Sequence, residues 1–280
     1  MSHHNVEPIV STEWVENHLD DPDVVLLEVD VDTSSYDESH IPGAVGLSWR
    51  SQLQDQVERD LLDQEEFQEL AREAGIDNDD HVVLYGDNFN WFAAWALWQF
   101  NYYGFENTSL MDGGREKWLN ENRPVTTEVP DPAPGNFSAE EPNEELRAYR
   151  DDVQAMIDSG KPSLVDVRST QEYTGEVLAP EGMSETCQRG GHVPGASNIT
   201  WKEAINDDGT FKSEEELREI YESKGIKPEN ETITYCRIGE RSSHSWFVLK
   251  YLLGYENVRN YDGSWTEWGN LVAAPVETGK

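Results

Sequence analysis

Two segments of the chain repeat each other, and this duplication constrains the fold more than any other feature. The pattern His-Ile-Pro-Gly-Ala at residues 40–44 returns as His-Val-Pro-Gly-Ala at residues 192–196. The pattern Asp-Gly-Gly-Arg-Glu-Lys-Trp at residues 112–118 returns as Asp-Gly-Ser-Trp-Thr-Glu-Trp at residues 262–268. Because the motifs recur in the same order with similar gaps, we predict two copies of one domain.

A segment rich in proline and acidic residues separates the two copies. It includes the run Pro-Asp-Pro-Ala-Pro at residues 130–134, which is typical of a semi-extended linker. We therefore divide the chain of 280 residues into an N-terminal domain over residues 1–125, a linker over 126–145 and a C-terminal domain over 146–280.

Short strand patterns alternate with helical patterns in each copy. Residues 82–85 and 233–235 are apolar or β-branched runs of strand length. Residues 64–74, 213–223 and 242–253 place apolar side chains at helical spacing, and the second of these begins with a capping-box pattern. The alternation predicts α/β domains, each with a central, mainly parallel sheet flanked by helices.

Cys236 lies where a predicted strand ends and a short loop leads into a predicted helix. Ligands of parallel sheets bind beyond the carboxyl ends of the strands. The loop contains Gly239 and Arg241, and the N–H groups at a helix N-terminus favour negative charge. Since such a helix end and a nearby cation lower a thiol pKa, we predict that Cys236 is a nucleophilic thiolate in an anion-binding loop.

The chain has a formal net charge of -35, from 56 acidic and 21 basic residues. Nucleic acids and anionic membrane surfaces would repel such a protein, so neither is expected as a partner. The acidic residues are spread along the chain and interrupted by aromatic ones. We therefore interpret them as the hydrated surface of a halophilic protein from a high-salt cytoplasm, rather than as an acidic tail.

The chain has two cysteines, Cys187 and Cys236, which do not support a disulfide scaffold and favour a functional thiol in a reducing compartment. The N-terminus has neither a basic region nor an apolar region of a signal peptide, and the longest apolar stretch is too short to span a bilayer. We expect a cytoplasmic protein that uses no cofactor and no metal.

Four features together resemble the rhodanese family, specifically the two-domain thiosulfate sulfurtransferases. They are the duplicated His-Ile/Val-Pro-Gly-Ala motif, Leu-Val-Asp-Val-Arg at residues 164–168 followed by Glu172 and Tyr173, Cys-Arg-Ile-Gly-Glu-Arg at residues 236–241, and Asp-Gly-Ser-Trp at residues 262–265 with Trp268. The resemblance covers nearly the whole chain and implies tandem α/β domains of which only the second keeps the nucleophile. In the first copy Asp87 or a neighbour is expected at the position of Cys236, so that copy is expected to be catalytically silent.

The resemblance also implies a reaction. Cys236 would take the outer sulfur of thiosulfate as a persulfide, release sulfite and pass the sulfur to a thiophilic acceptor such as cyanide or a thiol. Arg241 is expected to hold the sulfonate-like end of the donor, because a guanidinium makes paired hydrogen bonds to an oxyanion. The loop residues expected to contact the substrate or the persulfide are Arg237, Gly239 and Ser242, with Gly239 in a backbone conformation that a side chain would resist.

Two further arginines, Arg168 and Arg189, are candidates for substrate contacts. By family analogy Arg168 ties its strand end to the loop that carries His192, which is a structural role. His40 and His192 lie in Pro-Gly turns, which predicts structural hydrogen bonds for them rather than catalysis. Cys187 is interpreted as a bystander or as a reversible disulfide partner of Cys236.

Several alternatives remain open from the sequence. Ile238 stands where thiosulfate-type enzymes often have lysine, and the loop also lacks the Cys-Gly-Ser-Gly-Val that is typical of mercaptopyruvate-type enzymes. 3-Mercaptopyruvate therefore stays open as an alternative donor. A persulfide carrier or redox module would share the first half-reaction. A cysteine phosphatase needs a similar thiolate and arginine, but its loop between them is longer. The expected partners are a small-molecule sulfur donor and acceptor, with a sulfur-accepting protein as a further candidate.

Overall fold

The computed structural model describes residues 6–180 and 187–279. Residues 1–5, part of the segment that predicts no signal peptide, lie outside this range. The chain folds into two compact units. The first comprises the residues up to Asn143 together with Asn206–Phe211, and the second comprises Glu144–Ile205 and the residues from Lys212 onward.

The first unit is built on a sheet in which the strand order is β1-β5-β4-β2-β3. Its strands are β1 (Ile9–Val10), β2 (Val24–Asp30), β3 (Val45–Ser48), β4 (His81–Tyr85) and β5 (Thr108–Met111). Its helices are α1 (Thr12–Asn17), α2 (Ser34–Glu38), α3 (Trp49–Gln52), α4 (Gln64–Glu73), α5 (Asp87–Tyr102) and α6 (Gly114–Asn120).

The second unit has a sheet of order β7-β6-β8-β9. Its strands are β6 (Leu164–Asp166), β7 (Ser197–Asn198), β8 (Thr232–Tyr235) and β9 (Val258–Tyr261). Its helices are α7 (Arg150–Asp158), α8 (Thr170–Thr174), α9 (Glu214–Ser223), α10 (Glu240–Phe247) and α11 (Ser264–Trp268), with short 3₁₀ segments at Glu144–Leu146 and Trp201–Ala204 and a π-helical turn at Val248–Leu252. Within the described part of the chain all adjacent strands of both sheets run parallel, which confirms the predicted fold class.

The predicted helices are present, with shifted ends in one case. The helix α9 has Ser213 as its N-cap, and Ser213 and Glu216 form the predicted capping box. The helix after the cysteine begins at Glu240, two residues before the predicted start at residue 242, and ends as the π-helical turn. The earlier start matters for the site, because it brings Glu240 into the first turn.

Part of the segment predicted as a linker packs on the first unit. Gly135 N–H donates to Arg72 O at 2.9 Å, and Phe137 N–H donates to Ile76 O at 3.1 Å. The Phe137 ring is fully buried. The apolar ring and these main-chain hydrogen bonds hold this part of the chain in place.

The segment Asn206–Phe211 also belongs to the first unit, although it follows β7 in sequence. Phe211 N–H donates to Asp112 Oδ1 at 2.9 Å, and Lys117 Nζ lies 2.8 Å from Asp208 Oδ2. The domain boundaries predicted from the sequence, 1–125 and 146–280, place this short segment in the C-terminal domain. The repeated motifs give no sign that residues 206–211 contact residues about 100 positions earlier in the chain.

Candidate active site around Cys236

Cys236 directly follows the last residue of β8, and the first two residues of α11 anchor its main chain. Its N–H donates to Ser264 Oγ at 3.1 Å, and its carbonyl accepts from Trp265 N–H at 3.1 Å. The side chain therefore lies at the carboxyl end of a central parallel strand, where α/β proteins bind ligands. The predicted position of the thiol at a strand end is confirmed.

The loop after Cys236 surrounds the sulfur with donors. Gly239 N–H donates to Cys236 Sγ at 3.1 Å, and hydrogen bonds from the main chain and side chain of Ser242 oppose part of the rise that burial causes in the thiol pKa. Gly239 has φ of 101°, and a Cβ there would lie 2.9 Å from Asp262 Cα. Both facts require glycine, which confirms its predicted conformation. Because α10 begins at Glu240, these N–H groups belong to the unpaired first turn of a helix.

The thiol is not in the electropositive setting that the sequence predicts. Cys236 is fully buried, and its Sγ lies 3.3 Å from Glu240 Oε2, in donating geometry. Burial raises the pKa of the Cys236 thiol and the charge of Glu240 raises it further, whereas Arg241 and Ser242 only partly oppose this rise. The prediction of a lowered pKa is wrong, because desolvation and a buried carboxylate outweigh the helix end and the arginine.

Arg241 is engaged by carboxylates rather than turned toward a donor. Its Nη1 and Nη2 donate to the Glu172 carboxylate at 3.0 and 3.1 Å, and its Nε lies 3.4 Å from Glu240 Oε1. Burial alone would raise the pKa of Glu172, but Arg241, together with Arg168 and the Ser169 main chain, outweighs burial and the pKa is lowered. Arg241 therefore balances two buried carboxylates, and its contact with the sulfonate-like end of a donor stays a prediction.

The remaining loop residues proposed for substrate contact also lie around the cysteine. Arg237 is buried, and its carbonyl accepts from Thr266 N–H at 2.9 Å. Ser242 is fully buried, with Oγ 2.7 Å from Asn260 Oδ1. The structure thus brings Arg237 and Ser242 into the loop beside Cys236, and their contacts with substrate stay predictions.

Arg168 lies in a structural clamp. Its guanidinium forms hydrogen bonds of 2.6–3.2 Å with the Asp166 carboxylate, and Nη2 also donates to Gly191 O at 2.7 Å. It stacks over the Trp265 ring at 4.5 Å. Since Gly191 directly precedes His192, the predicted tie between the strand end and the histidine loop is confirmed. The guanidinium is committed to this tie, which argues against the alternative role in substrate binding.

Arg189 likewise serves the main chain. Its guanidinium donates four hydrogen bonds of 2.7–3.1 Å to main-chain carbonyl oxygens at the end of α11 and just after it. The acceptors are the carbonyls of Trp268, Gly269, Leu271 and Ala274. These contacts match four of the five N–H donors of the guanidinium and fasten the C-terminal segment. The candidate role of Arg189 in substrate binding finds no support in this arrangement.

The two motif histidines hold turns, as predicted. Nδ1 of His40 lies 2.8 Å from Tyr36 O, and Nδ1 of His192 lies 2.8 Å from Tyr173 O. Each imidazole also stacks on the same tyrosine, with ring centroids 3.9 and 3.6 Å apart. These contacts leave the histidines structural.

Cys187 is buried in the core of the second unit. Its Sγ lies 3.3 Å from Arg189 O, and burial is the largest cause that raises the pKa of its thiol. It packs with Trp265 and Trp268. This environment suits an inert apolar cysteine, as in the bystander interpretation.

In the first unit, Gly86 occupies the position that Cys236 has in the second. Tyr85 ends β4 and its hydroxyl accepts from Ile41 N–H at 3.1 Å; Tyr235 ends β8 and its hydroxyl accepts from the equivalent Val193 N–H at 3.1 Å. The residue after each tyrosine is therefore equivalent.

The main-chain contacts of Gly86 agree with this equivalence. Its carbonyl accepts from Arg115 N–H at 3.1 Å, and Arg115 occupies the repeat position of Trp265, which donates to Cys236. Asp87 or a neighbour was expected at the position of Cys236, and the residue found there is the neighbour Gly86. Asp87 N–H instead donates to Asp30 Oδ1 at 2.7 Å. The first unit has no thiol at this position.

Sequence reasoning missed the two carboxylates of the site, Glu172 and Glu240. Glu172 forms a capping box with Ser169, and this local signal predicts the start of α8 but not the pairing with Arg241. Glu240 pairs with Arg241, is buried and contacts the sulfur.

Among the described residues no group of three or more His, Cys, Asp or Glu side chains is arranged to hold a metal ion. None of the helices in the described ranges has the length and apolar character that crossing a membrane requires.

The fold and the site define a class: tandem parallel α/β domains in which one copy carries a cysteine inside an amide-lined loop at a strand end. The sequence model of the rhodanese-like domain matches residues 11–121 and 149–271. The chain therefore belongs to the rhodanese family of sulfurtransferases.

Two relatives show how closely the chain follows this family. A Haloferax volcanii protein, provisionally named a thiosulfate sulfurtransferase, is 60% identical over 276 residues, covering 97% of this chain and 96% of that protein. The sulfur carrier protein TtuD of Thermus thermophilus is 54% identical over 284 residues, covering 100% of both.

Experimentally determined structures agree. The anaerobic ergothioneine biosynthesis enzyme from Chlorobium limicola matches with a TM-score of 0.85 and 28% identity, covering 98% of this chain and 70% of that one. SseA from Escherichia coli, described as a 3-mercaptopyruvate sulfotransferase, matches with a TM-score of 0.80 and 26% identity, covering 93% of this chain and 99% of that one.

Proposed function

We propose that this protein is a thiosulfate sulfurtransferase that moves sulfane sulfur to a thiophilic acceptor, such as cyanide, through a persulfide on Cys236. One observation carries the proposal: Cys236 Sγ accepts from Gly239 N–H at 3.1 Å inside a helix-capping loop at the end of β8. Relatives provisionally named for this activity support the choice of donor.

The chemistry consists of two sulfur transfers. The Cys236 thiolate attacks the outer sulfur of thiosulfate, an S–S bond forms, and the bond to the sulfonate sulfur breaks to release sulfite. Cyanide then attacks the outer sulfur of the persulfide and leaves as thiocyanate. The loop N–H groups are aimed at the sulfur and stabilise the charge that it carries between the two steps. Splitting the reaction in this way predicts ping-pong kinetics.

The first half-reaction is tested by intact-mass analysis after thiosulfate treatment in high salt. We expect the wild type to gain the mass of one sulfur atom and Cys236→Ala to gain none, since no other described thiol lies in such a loop. Cys187→Ala is the matched control and is expected to load like the wild type. Loading of Cys236→Ala would contradict the proposal.

A persulfide carrier is the second candidate, because the relative from Thermus thermophilus is named a sulfur carrier protein. Rapid thiocyanate production from thiosulfate and cyanide supports an enzyme. A Cys236 persulfide that forms only with a partner protein, and passes to another protein, supports a carrier. Steady-state rates with thiosulfate and with 3-mercaptopyruvate distinguish the two donors. The structural similarity to SseA is the reason to test 3-mercaptopyruvate.

The first unit, with Gly86 in place of the cysteine, is proposed to be catalytically silent. We further propose a cytoplasmic protein adapted to high salt, with small-molecule sulfur donors and acceptors and a sulfur-accepting protein as a further partner. The acidic composition supports this proposal.

A further inference from the structure

The carboxylate of Glu240 is the acidic group that contacts the reactive sulfur. Its Oε2 lies 3.3 Å from Cys236 Sγ, and its other oxygen lies 3.4 Å from Arg241 Nε. Glu240 is only 1% exposed and Cys236 is fully buried. The contact is local in sequence, because Glu240 begins α10 only four residues after the cysteine, at the end of the loop that turns at Gly239.

The sulfur has a donor on one side and this acceptor on another. Gly239 N–H points to Sγ, whereas Sγ is in donating geometry toward Glu240. A buried sulfur must lose its proton before it attacks thiosulfate, since the thiolate is the nucleophile. The raised pKa of the Cys236 thiol makes that loss unfavourable at neutral pH without an acceptor.

We infer that Glu240 is the general base and acid of the reaction: it accepts the Cys236 proton during persulfide formation and returns it when the sulfur leaves. This inference rests on the proposed function and assigns the proton path of that same site. It also explains why a carboxylate lies in a loop built for anions.

The proton and the electrons balance over the cycle. In the first step the S–H bond breaks, Glu240 becomes the neutral acid, and Sγ attacks the outer sulfur of thiosulfate while sulfite leaves with the bonding pair. The neutral acid no longer repels the persulfide anion. In the second step cyanide takes the outer sulfur as thiocyanate, and Sγ keeps the electron pair of the broken S–S bond. Glu240 then returns its proton to Sγ. The net reaction converts thiosulfate and cyanide to sulfite and thiocyanate with no proton consumed.

Arg241 and Glu172 act as positioning residues in this scheme. Arg241 faces Glu240 from α10 and is held by Glu172 from α8. After β9, the charged Asp262 lies beside Gly239 and is paired with Arg147 at 3.1 Å. Among the described charged groups around the sulfur, Glu240 is the one whose oxygen contacts Sγ.

The decisive variant is Glu240→Gln, which keeps the shape of the side chain and removes its ability to accept a proton. In single-turnover experiments at saturating thiosulfate, we expect sulfite release at neutral pH to slow about 100-fold or more, a general-base effect. The deficit should shrink as the pH rises, because solvent then removes the thiol proton. Glu256→Gln, at an exposed residue, is the matched control and should behave as the wild type.

A second measurement does not depend on the sulfur donor. Alkylation of Cys236 by iodoacetamide, followed by peptide mass, should also be slower in Glu240→Gln at neutral pH. Faster or unchanged alkylation would overturn the inference, because it would mean that Glu240 merely opposes thiol ionisation by its charge. If the wild type alkylates faster than the variant but takes no sulfur from thiosulfate, the donor assignment fails and the role of Glu240 stands.

A third measurement uses the wild type alone, in case the variant does not fold. Infrared difference spectra between the persulfide and resting forms should show the carbonyl stretch of one newly protonated carboxylic acid, shifted in D₂O. The persulfide without that band would contradict proton storage on Glu240.

Discussion

At the scale of single residues, the site depends on backbone that only glycine adopts easily. Gly239 has φ of 101° and faces Asp262 at a distance that leaves no room for a Cβ. Its N–H is also a donor to the reactive sulfur. A substitution of Gly239 is therefore expected to affect both the stability of the fold and the binding of sulfur.

We expect Gly239→Ala to lower the free energy of unfolding by about 1–3 kcal/mol, the cost of a strained conformation, and to abolish most sulfur loading. Urea unfolding and intact-mass analysis measure the two effects. Gly254→Ala is the control, because Gly254 has φ of 70° but no atom within 4 Å of a Cβ. It should lose stability through its own strain but load sulfur normally. Normal loading of Gly239→Ala would refute the role of its N–H.

At the scale of elements, a buried ion pair joins α8 to α10. Glu172 and Arg241 are separated by 69 residues and make two hydrogen bonds of 3.0 and 3.1 Å. Removal of Glu172 leaves the buried Arg241 with Glu240 as its remaining carboxylate, and breaking a buried pair lowers stability even where the pair itself adds little. The pair therefore fixes where the active-site helix lies in the second unit.

Glu172→Gln is expected to destabilise the protein by about 3 kcal/mol, the lower end for a broken buried pair, since Arg241 loses one of its two carboxylates and keeps Glu240. Because the pKa of Glu172 is lowered, this stabilisation is present above its ordinary value of 4.5 and is lost as the pH falls through the lowered value. Urea midpoints between pH 7 and pH 3 measure both effects. Glu214→Gln, in a surface pair with Arg218 on α9, should change little. Equal effects of the two variants would contradict the importance of burial.

At the scale of the whole molecule, the charge of -35 makes stability depend on salt. Acidic side chains repel one another more strongly when counterions are few, and the screening length falls from about 10 Å at 0.1 M to about 3 Å at 1 M salt. Self-repulsion destabilises the compact state.

We expect the thermal unfolding midpoint to rise by several degrees or more between about 0.1 M and 1 M KCl, the range over which screening becomes short. Sucrose at matched osmolarity is the control, because it stabilises by exclusion without screening charge. A midpoint that responds equally to sucrose and KCl would argue against charge repulsion as the cause.

The sequence by itself determined the duplication, the α/β alternation, the capping box of α9 and the position of Cys236 at a strand end. These features are local: they depend on the periodicity of apolar residues and on contacts within one helical turn. The conformation of Gly239 was predictable for the same reason.

Only the tertiary structure decided what surrounds the sulfur. Glu172 reaches Arg241 from another helix, and Arg189 donates to carbonyls about 80 residues away in sequence. Burial, which sets the pKa of Cys236, is a property of the packed unit and not of the loop. The chemistry of this thiol is therefore set by packing, because the desolvation of charges and the pairing of distant side chains exist only once the chain has folded.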